Sequence, residues 1–321
     1  MQNINSPSTH THTHTHESHT NHTQMPLRKG SSVALITPMT LTGDIDVAGL
    51  RKLLQFHVEQ GTDNLCILGT TAEASVLEMK EREMILKIAV EEVKGQIPIL
   101  VGTGTINPNA VKAMTQQAID CGCDANLVVS PYYVKPPQRC IMKQMTTMAD
   151  MGLPLIIYNV PGRTGVDLID TNIAILAQHE SIVGIKDATG DLSRVQTLRA
   201  LLGDNNDDDF LMYSGDDATS LDFVARGGDG CISVTANLAP KVMHEIMILA
   251  KQGKLEEATA LNKPLELLHQ TLFCEANPIP TKWAAARMGL TKTAYCRPPL
   301  DELDPAFVDD VTIALQAAGL I

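Results

Sequence analysis

The amino-acid sequence predicts an α/β protein, a (β/α)8 barrel or TIM barrel with a C-terminal helical extension. Eight short apolar runs alternate with segments of helical spacing from Gly30 onward. The repeat is close to the roughly 30 residues of one strand–helix–strand unit. The main alternative is a doubly wound sheet that binds a dinucleotide, but its GxGxxG motif does not follow the first apolar run. The alternation therefore favours the barrel.

The predicted strands consist largely of small and β-branched apolar residues, as in parallel strands that are buried on both faces. In chain order they are Val33–Thr37, Asn64–Leu68, Ile97–Val101, Ala125–Ser130, Leu153–Tyr158, Ile182–Lys186, Phe210–Ser214 and Gly230–Val234. Helical spacing is clearest in Val47–Gln60, Glu78–Lys94, Ala110–Asp120 and Leu192–Leu202, and an eighth helix is predicted after Pro240.

Three regions follow from this pattern. Residues 1–29 are rich in His and Thr and lack the apolar core of a secretory signal, so we expect a disordered tail without a catalytic part. Residues 30–252 form the predicted barrel, and residues 253–321 form a helical region. Because a barrel needs no such extension, that region is expected to cover a barrel face or to make subunit contacts. Its predicted helices are Leu255–Phe273, Ile279–Met288 and Pro305–Ala318.

Composition limits the class of partner. The chain of 321 residues carries a net charge of −12, which argues against nucleic acid as the main partner. No run approaches the roughly 20 apolar residues of a membrane span. The seven cysteines are scattered and form no CxxC pair, so neither a disulfide framework nor a zinc site is indicated. A reducing cytoplasm is the expected compartment.

Lys186 is the residue that points most directly to chemistry. It ends a short apolar strand, where a charged ammonium is costly to bury and a neutral, nucleophilic amine is favoured. Such an amine suits Schiff-base formation with a carbonyl substrate. The alternative is an ordinary lysine that reaches solvent or pairs with Asp187. The surroundings decide between them, because the carboxyl ends of the barrel strands converge on one catalytic mouth.

Hydroxyl groups are predicted beside this amine. Tyr158 ends the preceding strand at the same height as Lys186, and Thr70 and Tyr133 follow two other strands. Since hydroxyls both donate and accept, these residues could pass protons to and from a carbonyl carbon without holding charge. The non-catalytic alternatives are a tyrosine at a strand end whose hydroxyl contacts water, and a threonine that caps a helix.

Other strand-end residues suit the binding of carboxylates. Thr71 and the backbone N–H groups around it could hold one carboxylate. Arg163 offers a guanidinium fork for a second, although an arginine in a loop is also an ordinary surface residue. Gly215 and Ile232 would let a small ligand approach the barrel floor. Together they predict a pocket for a short keto acid that is held as an imine.

The strand-end motifs resemble those of the 4-hydroxy-tetrahydrodipicolinate synthase family, formerly called dihydrodipicolinate synthases. The similarity runs from about Gly30 to the C-terminus, and its motifs are Gly69-Thr70-Thr71-Ala72-Glu73, Ser130-Pro131-Tyr132-Tyr133, Tyr158-Asn159-Val160-Pro161-Gly162-Arg163-Thr164-Gly165 and Gly184-Ile185-Lys186-Asp187-Ala188-Thr189-Gly190. Members of this family condense pyruvate with L-aspartate 4-semialdehyde in the first committed step of the diaminopimelate route to lysine.

The resemblance implies a role for each matching catalytic residue. Lys186 would form the Schiff base with pyruvate, and Tyr158 would be the proton donor and acceptor. Thr70 and Tyr133 would complete the proton relay, with Tyr133 reaching the site across a dimer interface.

The resemblance also implies how substrates are bound. Thr71 and the Ile232 main chain would hold pyruvate, and Arg163 would face the carboxylate of the aldehyde substrate. No metal and no organic cofactor are expected. A homotetramer built as a dimer of dimers is expected, which would give the C-terminal helices an interface role.

Two departures from the family pattern matter. Ala72 stands where glycine is common, so its φ is expected to be negative or slightly strained. The site at which lysine inhibits many bacterial members usually draws on a serine and two histidines, and these positions read Ala74, Met79 and Arg82, while Tyr132 remains. Because a cationic arginine repels an ammonium group, weak or absent inhibition by lysine is expected.

Two other functions stay open at this point. Another enzyme that forms a pyruvate imine, such as N-acetylneuraminate lyase or a keto-deoxy sugar acid aldolase, would share Lys186 and a residue like Tyr158. Such enzymes generally lack the second tyrosine of Tyr132-Tyr133 and the arginine at position 163. A metal-binding or chaperone-like protein that reuses a barrel is the non-catalytic alternative, and the His-rich tail is its only support.

Overall fold

Eight parallel strands close a barrel in the order in which they occur along the chain. The computed structural model describes residues 24–203 and 210–321. The strands are β1 (Gly30–Ala34), β2 (Asn64–Ile67), β3 (Ile99–Gly102), β4 (Ala125–Val129), β5 (Leu155–Asn159), β6 (Ile182–Asp187), β7 (Leu211–Ser214) and β8 (Gly230–Ser233). Because β1 pairs with both β2 and β8, the sheet has no free edge and the predicted barrel is confirmed.

Helices separate the strands and continue beyond β8. Those in the described residues are α1 (Val47–Glu59), α2 (Met79–Val93), α3 (Pro108–Asp120), α4 (Gln138–Ala149), α5 (Pro161–Thr164), α6 (Asp170–Leu176), α7 (Ser193–Leu202), α8 (Ser220–Ala225), α9 (Pro240–Lys251), α10 (Leu255–Asn262), α11 (Glu266–Thr271), α12 (Ile279–Arg287) and α13 (Val308–Ala317). In the same part of the chain, every helix is too short or too polar to cross a bilayer.

Local sequence explains where several helices begin and end. The Asp46 carboxylate accepts a hydrogen bond from the Gly49 N–H at the start of α1, and Pro108 occupies the first turn of α3. The predicted helix Leu255–Phe273 is instead divided into α10, a 3-10 turn and α11. Pro264 lies in that turn, where its missing N–H interrupts the helical hydrogen bonds.

The first strand begins three residues earlier than predicted. The Gly30 N–H donates to the Asp229 carbonyl, and β1 pairs with β8 from Gly30 onward. Gly30 has a φ of +130°, and a Cβ there would lie 2.2 Å from a carboxylate oxygen of Asp63. Glycine is therefore required at the start of β1. The two serines that follow it, Ser31 and Ser32, concealed this part of the strand from a search for apolar runs.

Apolar side chains fill both the barrel interior and the layer between strands and helices. The interior cluster includes Leu100, Ile156 and Tyr213, and the outer layer is aliphatic and rich in methionine. All seven cysteines are free thiols.

Residues 24–29, which the sequence analysis assigned to the tail, lie against the amino-terminal end of the barrel. The Met25 N–H donates to Asp124 Oδ1 over 2.7 Å, and the Arg28 N–H donates to Asn64 Oδ1 over 2.8 Å. The Tyr213 hydroxyl, from inside the barrel, donates to the Arg28 carbonyl. The predicted boundary at residue 29 is therefore too late for these residues. The His-rich residues 9–22 lie outside the described part of the chain.

Candidate active site

Lys186 and Tyr158 lie side by side at the mouth of the barrel. They are register partners in the pairing of β5 with β6, so both leave the strands at the same level. The Lys186 amino nitrogen lies 4.5 Å from the centre of the Tyr158 ring, and both residues are buried. The sequence predicted this adjacency from the equivalent strand positions.

Asp187 is not the partner of Lys186. Its carboxylate lies 3.0 Å from Nε of Arg194, and burial raises its pKa while the guanidinium of Arg194 opposes that rise. The same guanidinium also contacts Asp167 and Asp170. Among residues 24–203 and 210–321, Lys186 has no carboxylate within ion-pair distance. The amine is thus buried without a counter-charge, as a nucleophilic role requires.

A cavity of about 160 Å³ surrounds the amine. Its size suits a molecule of a few heavy atoms. Six of the predicted site residues contribute to its wall: Thr70, Thr71, Tyr158, Arg163, Lys186 and Gly215. The wall also contains Cys66, whose pKa burial raises to about 11, so this thiol stays protonated at neutral pH and does not compete as a nucleophile.

The loop after β2 brings Thr70 and Thr71 to the cavity. Thr70–Ala72 form a 3-10 turn that ends at Glu73, a residue in the left-handed region with a φ of 57°. The strain expected at Ala72 is therefore carried by the next residue. Thr71 is buried, and its hydroxyl oxygen accepts a hydrogen bond from Asn277 Nδ2 over 2.8 Å.

Gly215 makes room for the Lys186 side chain. A Cβ at this position would lie 3.0 Å from Lys186 Cε and 2.8 Å from the Cβ of Ala188. The sequence predicted that Gly215 lets a ligand approach the barrel floor. The structure adds a nearer reason for glycine, since a larger residue would displace the lysine chain.

Arg163 lies on α5, directly after β5, and is exposed at the rim of the cavity. It also lines a larger neighbouring cavity of about 640 Å³, together with Tyr133. Tyr133 is 88% exposed and so lies at the surface of this chain. Ile232 is buried in the interior cluster below the mouth, and its side chain is not part of the cavity wall.

The larger cavity contains three of the positions at which the sequence departs from the family pattern. Ala74, Met79 and Arg82 all line it. Arg82 is buried, and its Nη2 donates to the Gly102 carbonyl over 2.7 Å. Burial lowers the pKa of Arg82 to about 10, so the guanidinium remains cationic at neutral pH. The Tyr132 hydroxyl lies 3.1 Å from Thr105 Oγ1 in the same wall.

The C-terminal region supplies residues that the sequence analysis missed. Phe273 and Asn277 line the smaller cavity. Lys282, also in this region, forms a buried ion pair with Glu73 of the β2 loop, with 2.6 Å between Nζ and Oε1. The sequence signal that could have indicated Asn277 is the pair Asn277-Pro278, in which a polar residue precedes a proline at the start of a helix. The sequence analysis assigned no catalytic or binding residue to this region.

These features define a class of enzyme. A buried lysine without a counter-charge, beside a tyrosine at the carboxyl end of a (β/α)8 barrel, is the arrangement of a lyase that acts through a lysine Schiff base. Comparison with known proteins identifies the family. The sequence model of the dihydrodipicolinate synthetase family matches residues 27–318, and the chain belongs to this family.

Individual relatives agree with this assignment. The 4-hydroxy-tetrahydrodipicolinate synthase of Saccharophagus degradans is 44% identical over 295 residues, which cover 91% of this chain and 99% of the relative. That of Methylococcus capsulatus is 44% identical over 294 residues, with the same shares covered. A crystal structure of the chloride-inhibited dihydrodipicolinate synthase of Acinetobacter baumannii, complexed with pyruvate, has a TM-score of 0.88 and 44% identity, and the match covers 91% of this chain and 99% of that one.

Proposed function

We propose that this chain condenses pyruvate with L-aspartate 4-semialdehyde to 4-hydroxy-tetrahydrodipicolinate, the first committed step of lysine biosynthesis through diaminopimelate. The observation that carries the proposal is the buried Lys186 amine, 4.5 Å from the Tyr158 ring, in a cavity of about 160 Å³. The relatives at 44% identity are named for this reaction, and a similar solved structure is complexed with pyruvate.

The reaction begins at the lysine. Its amine adds to the ketone carbon of pyruvate, and the former ketone oxygen leaves as water after taking protons through Tyr158. Loss of a methyl proton to the same relay turns the protonated imine into an enamine, whose carbon attacks the aldehyde. The aldehyde oxygen takes up a proton. The amino group of the second substrate then displaces the lysine amine, which closes the ring and frees the enzyme.

Neighbouring residues complete the relay and hold the substrates. Thr70 and Tyr133 carry protons between Tyr158 and solvent. Thr71 and the main chain of Ile232 bind the pyruvate carboxylate. Arg163, exposed at the rim, binds the carboxylate of the aldehyde substrate through a charge-assisted pair. The hydroxyl, amine and guanidinium groups suffice for each step, so the reaction is proposed to use no metal and no organic cofactor.

The assembly and the compartment belong to the same proposal. Tyr133 is 88% exposed, as suits a tyrosine that enters the site of a partner subunit. On this ground we propose a homotetramer, built as a dimer of dimers. We also propose a cytoplasmic location, because seven scattered free cysteines suit a reducing compartment.

Reductive trapping tests the proposal. Borohydride is added to the enzyme with pyruvate, and the adduct is located by peptide mass spectrometry. The adduct is expected on the peptide that carries Lys186, and the Lys186→Ala variant should give none. Lys143→Ala, which removes an exposed lysine on α4, is the matched control and should be trapped normally. An adduct on another peptide, or retro-aldol cleavage of sialic acid in place of the condensation, would contradict the proposal.

A further inference from the structure

The hydroxyl of Thr71 is held in one role by a residue from the C-terminal region. Asn277 Nδ2 donates to Thr71 Oγ1 over 2.8 Å, and both residues are buried. A hydroxyl has one proton to donate and can accept at its lone pairs. Since the Asn277 contact uses the oxygen as acceptor, the proton remains to be donated. Among residues 24–203 and 210–321, no side chain or carbonyl accepts it, and Thr71 lies in the wall of the cavity.

The amide of Asn277 is itself oriented. Its Oδ1 lies 3.4 Å from Thr281 Oγ1, which donates to it from the first turn of α12. Thr281 is fully buried, so water does not compete for this contact. With the carbonyl side of the amide turned to Thr281, the NH2 side faces Thr71.

The same part of the C-terminal region also fixes the backbone of the β2 loop. Lys282 Nζ pairs with Glu73 Oε1 over 2.6 Å, and the Arg297 N–H donates to the other oxygen of Glu73 over 2.7 Å. Glu73 adopts a left-handed conformation that non-glycine residues seldom take, and these contacts hold it there. Thr71 is thus constrained both in its backbone and in its hydroxyl.

We propose that Asn277 is a positioning residue that turns the Thr71 hydroxyl into a dedicated donor for the carboxylate of a 2-keto acid. The Asn277 amide uses the Thr71 hydroxyl oxygen as an acceptor, so the hydroxyl proton is left to be donated to an anion in the cavity. A freely rotating hydroxyl would instead point its proton away from the anion for part of the time. The selectivity of the site for keto acids over neutral ketones then depends on this contact. This inference rests on the proposed function, because it needs an imine-forming keto acid in the cavity.

The test compares pyruvate with methyl pyruvate, its neutral ester, which is larger by one methyl group. The quantity measured is the ligand concentration that gives half-maximal borohydride trapping. In Asn277→Leu this concentration is expected to rise at least about threefold for pyruvate, because the freed hydroxyl has three staggered orientations and only one points its proton at the anion. It should change by less than about twofold for methyl pyruvate. Asn172→Leu, which removes a half-buried asparagine on α6, is the matched control and should leave both values unchanged.

A double-mutant cycle separates positioning from a merely structural role. If Asn277 acts through the hydroxyl, Asn277→Leu adds almost nothing in a Thr71→Val background, because the group that it orients is already gone. Asn277→Ala repeats the comparison if the leucine variant folds poorly. Equal losses for pyruvate and methyl pyruvate, or an undiminished effect in the Thr71→Val background, would overturn the inference. Failure of the unmodified enzyme to trap pyruvate would instead remove the proposed function.

Discussion

The buried ion pair between Lys282 and Glu73 gives a sharp prediction for stability. Both side chains are 1% exposed, and their charged atoms lie 2.6 Å apart. In Lys282→Met the Glu73 carboxylate keeps its hydrogen bond from the Arg297 N–H but loses its counter-charge. Removing one partner of a buried pair costs about 3–5 kcal/mol of unfolding free energy, and the remaining hydrogen bond places the loss near the lower value.

Urea unfolding measures this loss through the single tryptophan, Trp283, which is adjacent in sequence to the mutated lysine. With a slope near 3 kcal/mol per M, the midpoint should fall by about 1 M. Lys263→Met is the control, since its pair with Glu266 has a similar length, 2.8 Å, but is exposed on both sides, and its midpoint should not move measurably.

The double variant Glu73→Gln/Lys282→Met tests the cause. A neutral amide next to a methionine leaves no unpaired charge, so most of the lost stability should return. If Lys282→Met has the same midpoint as Lys263→Met, or if the double variant is less stable than Lys282→Met, then the argument from the buried charge is wrong.

Four further predictions follow from the site and the core. Burial lowers the pKa of His57 from 6.5 to about 3, so below pH 6.5 the unfolded chain binds a proton that the folded chain does not. The free energy of unfolding should therefore be highest above pH 6.5 and fall by about 2 kcal/mol by pH 5. In urea unfolding at several pH values, His57→Gln should reduce this dependence on pH. Gly215→Ala pushes a methyl group against the Lys186 chain and the Ala188 Cβ. It should lower kcat by about 10- to 100-fold, measured by steady-state condensation, and should cost about 1–3 kcal/mol of stability through overpacking. Millimolar L-lysine should inhibit the initial rate weakly or not at all because Arg82 is cationic, and strong, saturable inhibition in this range would contradict this. Deletion of residues 1–23 should leave turnover unchanged, and lost activity would assign the tail a function.

The barrel was predictable because each strand carries its own signal. A parallel strand that is buried on both faces is largely apolar, and helical spacing between such runs indicates the alternation of strands and helices. The predicted element boundaries were wrong where strand pairing or a proline, and not the apolar pattern, determines the structure. Gly30 and the serines after it belong to β1 through their pairing with β8, and Pro264 divides a helix whose spacing reads as continuous.

The strand-end residues were also predictable, for a geometric reason. In a closed parallel barrel the ends of all strands face one mouth, so Thr70, Tyr158 and Lys186 could be brought together before any distance was known. The contact between Thr71 and Asn277 could not be found in this way. It joins residues that are 206 positions apart, and no period or spacing in the sequence encodes such a pair.

These distant contacts change the role of the C-terminal region. The sequence analysis expected it to cover a barrel face or to make subunit contacts, since a barrel folds without it. In the structure, Asn277 and Lys282 contact the β2 loop. A loop that ends on a strained glutamate would not keep its shape on β2 alone. The helical extension therefore supplies the constraint that the loop lacks, and part of the proposed carboxylate site is built by a segment that the barrel itself does not require.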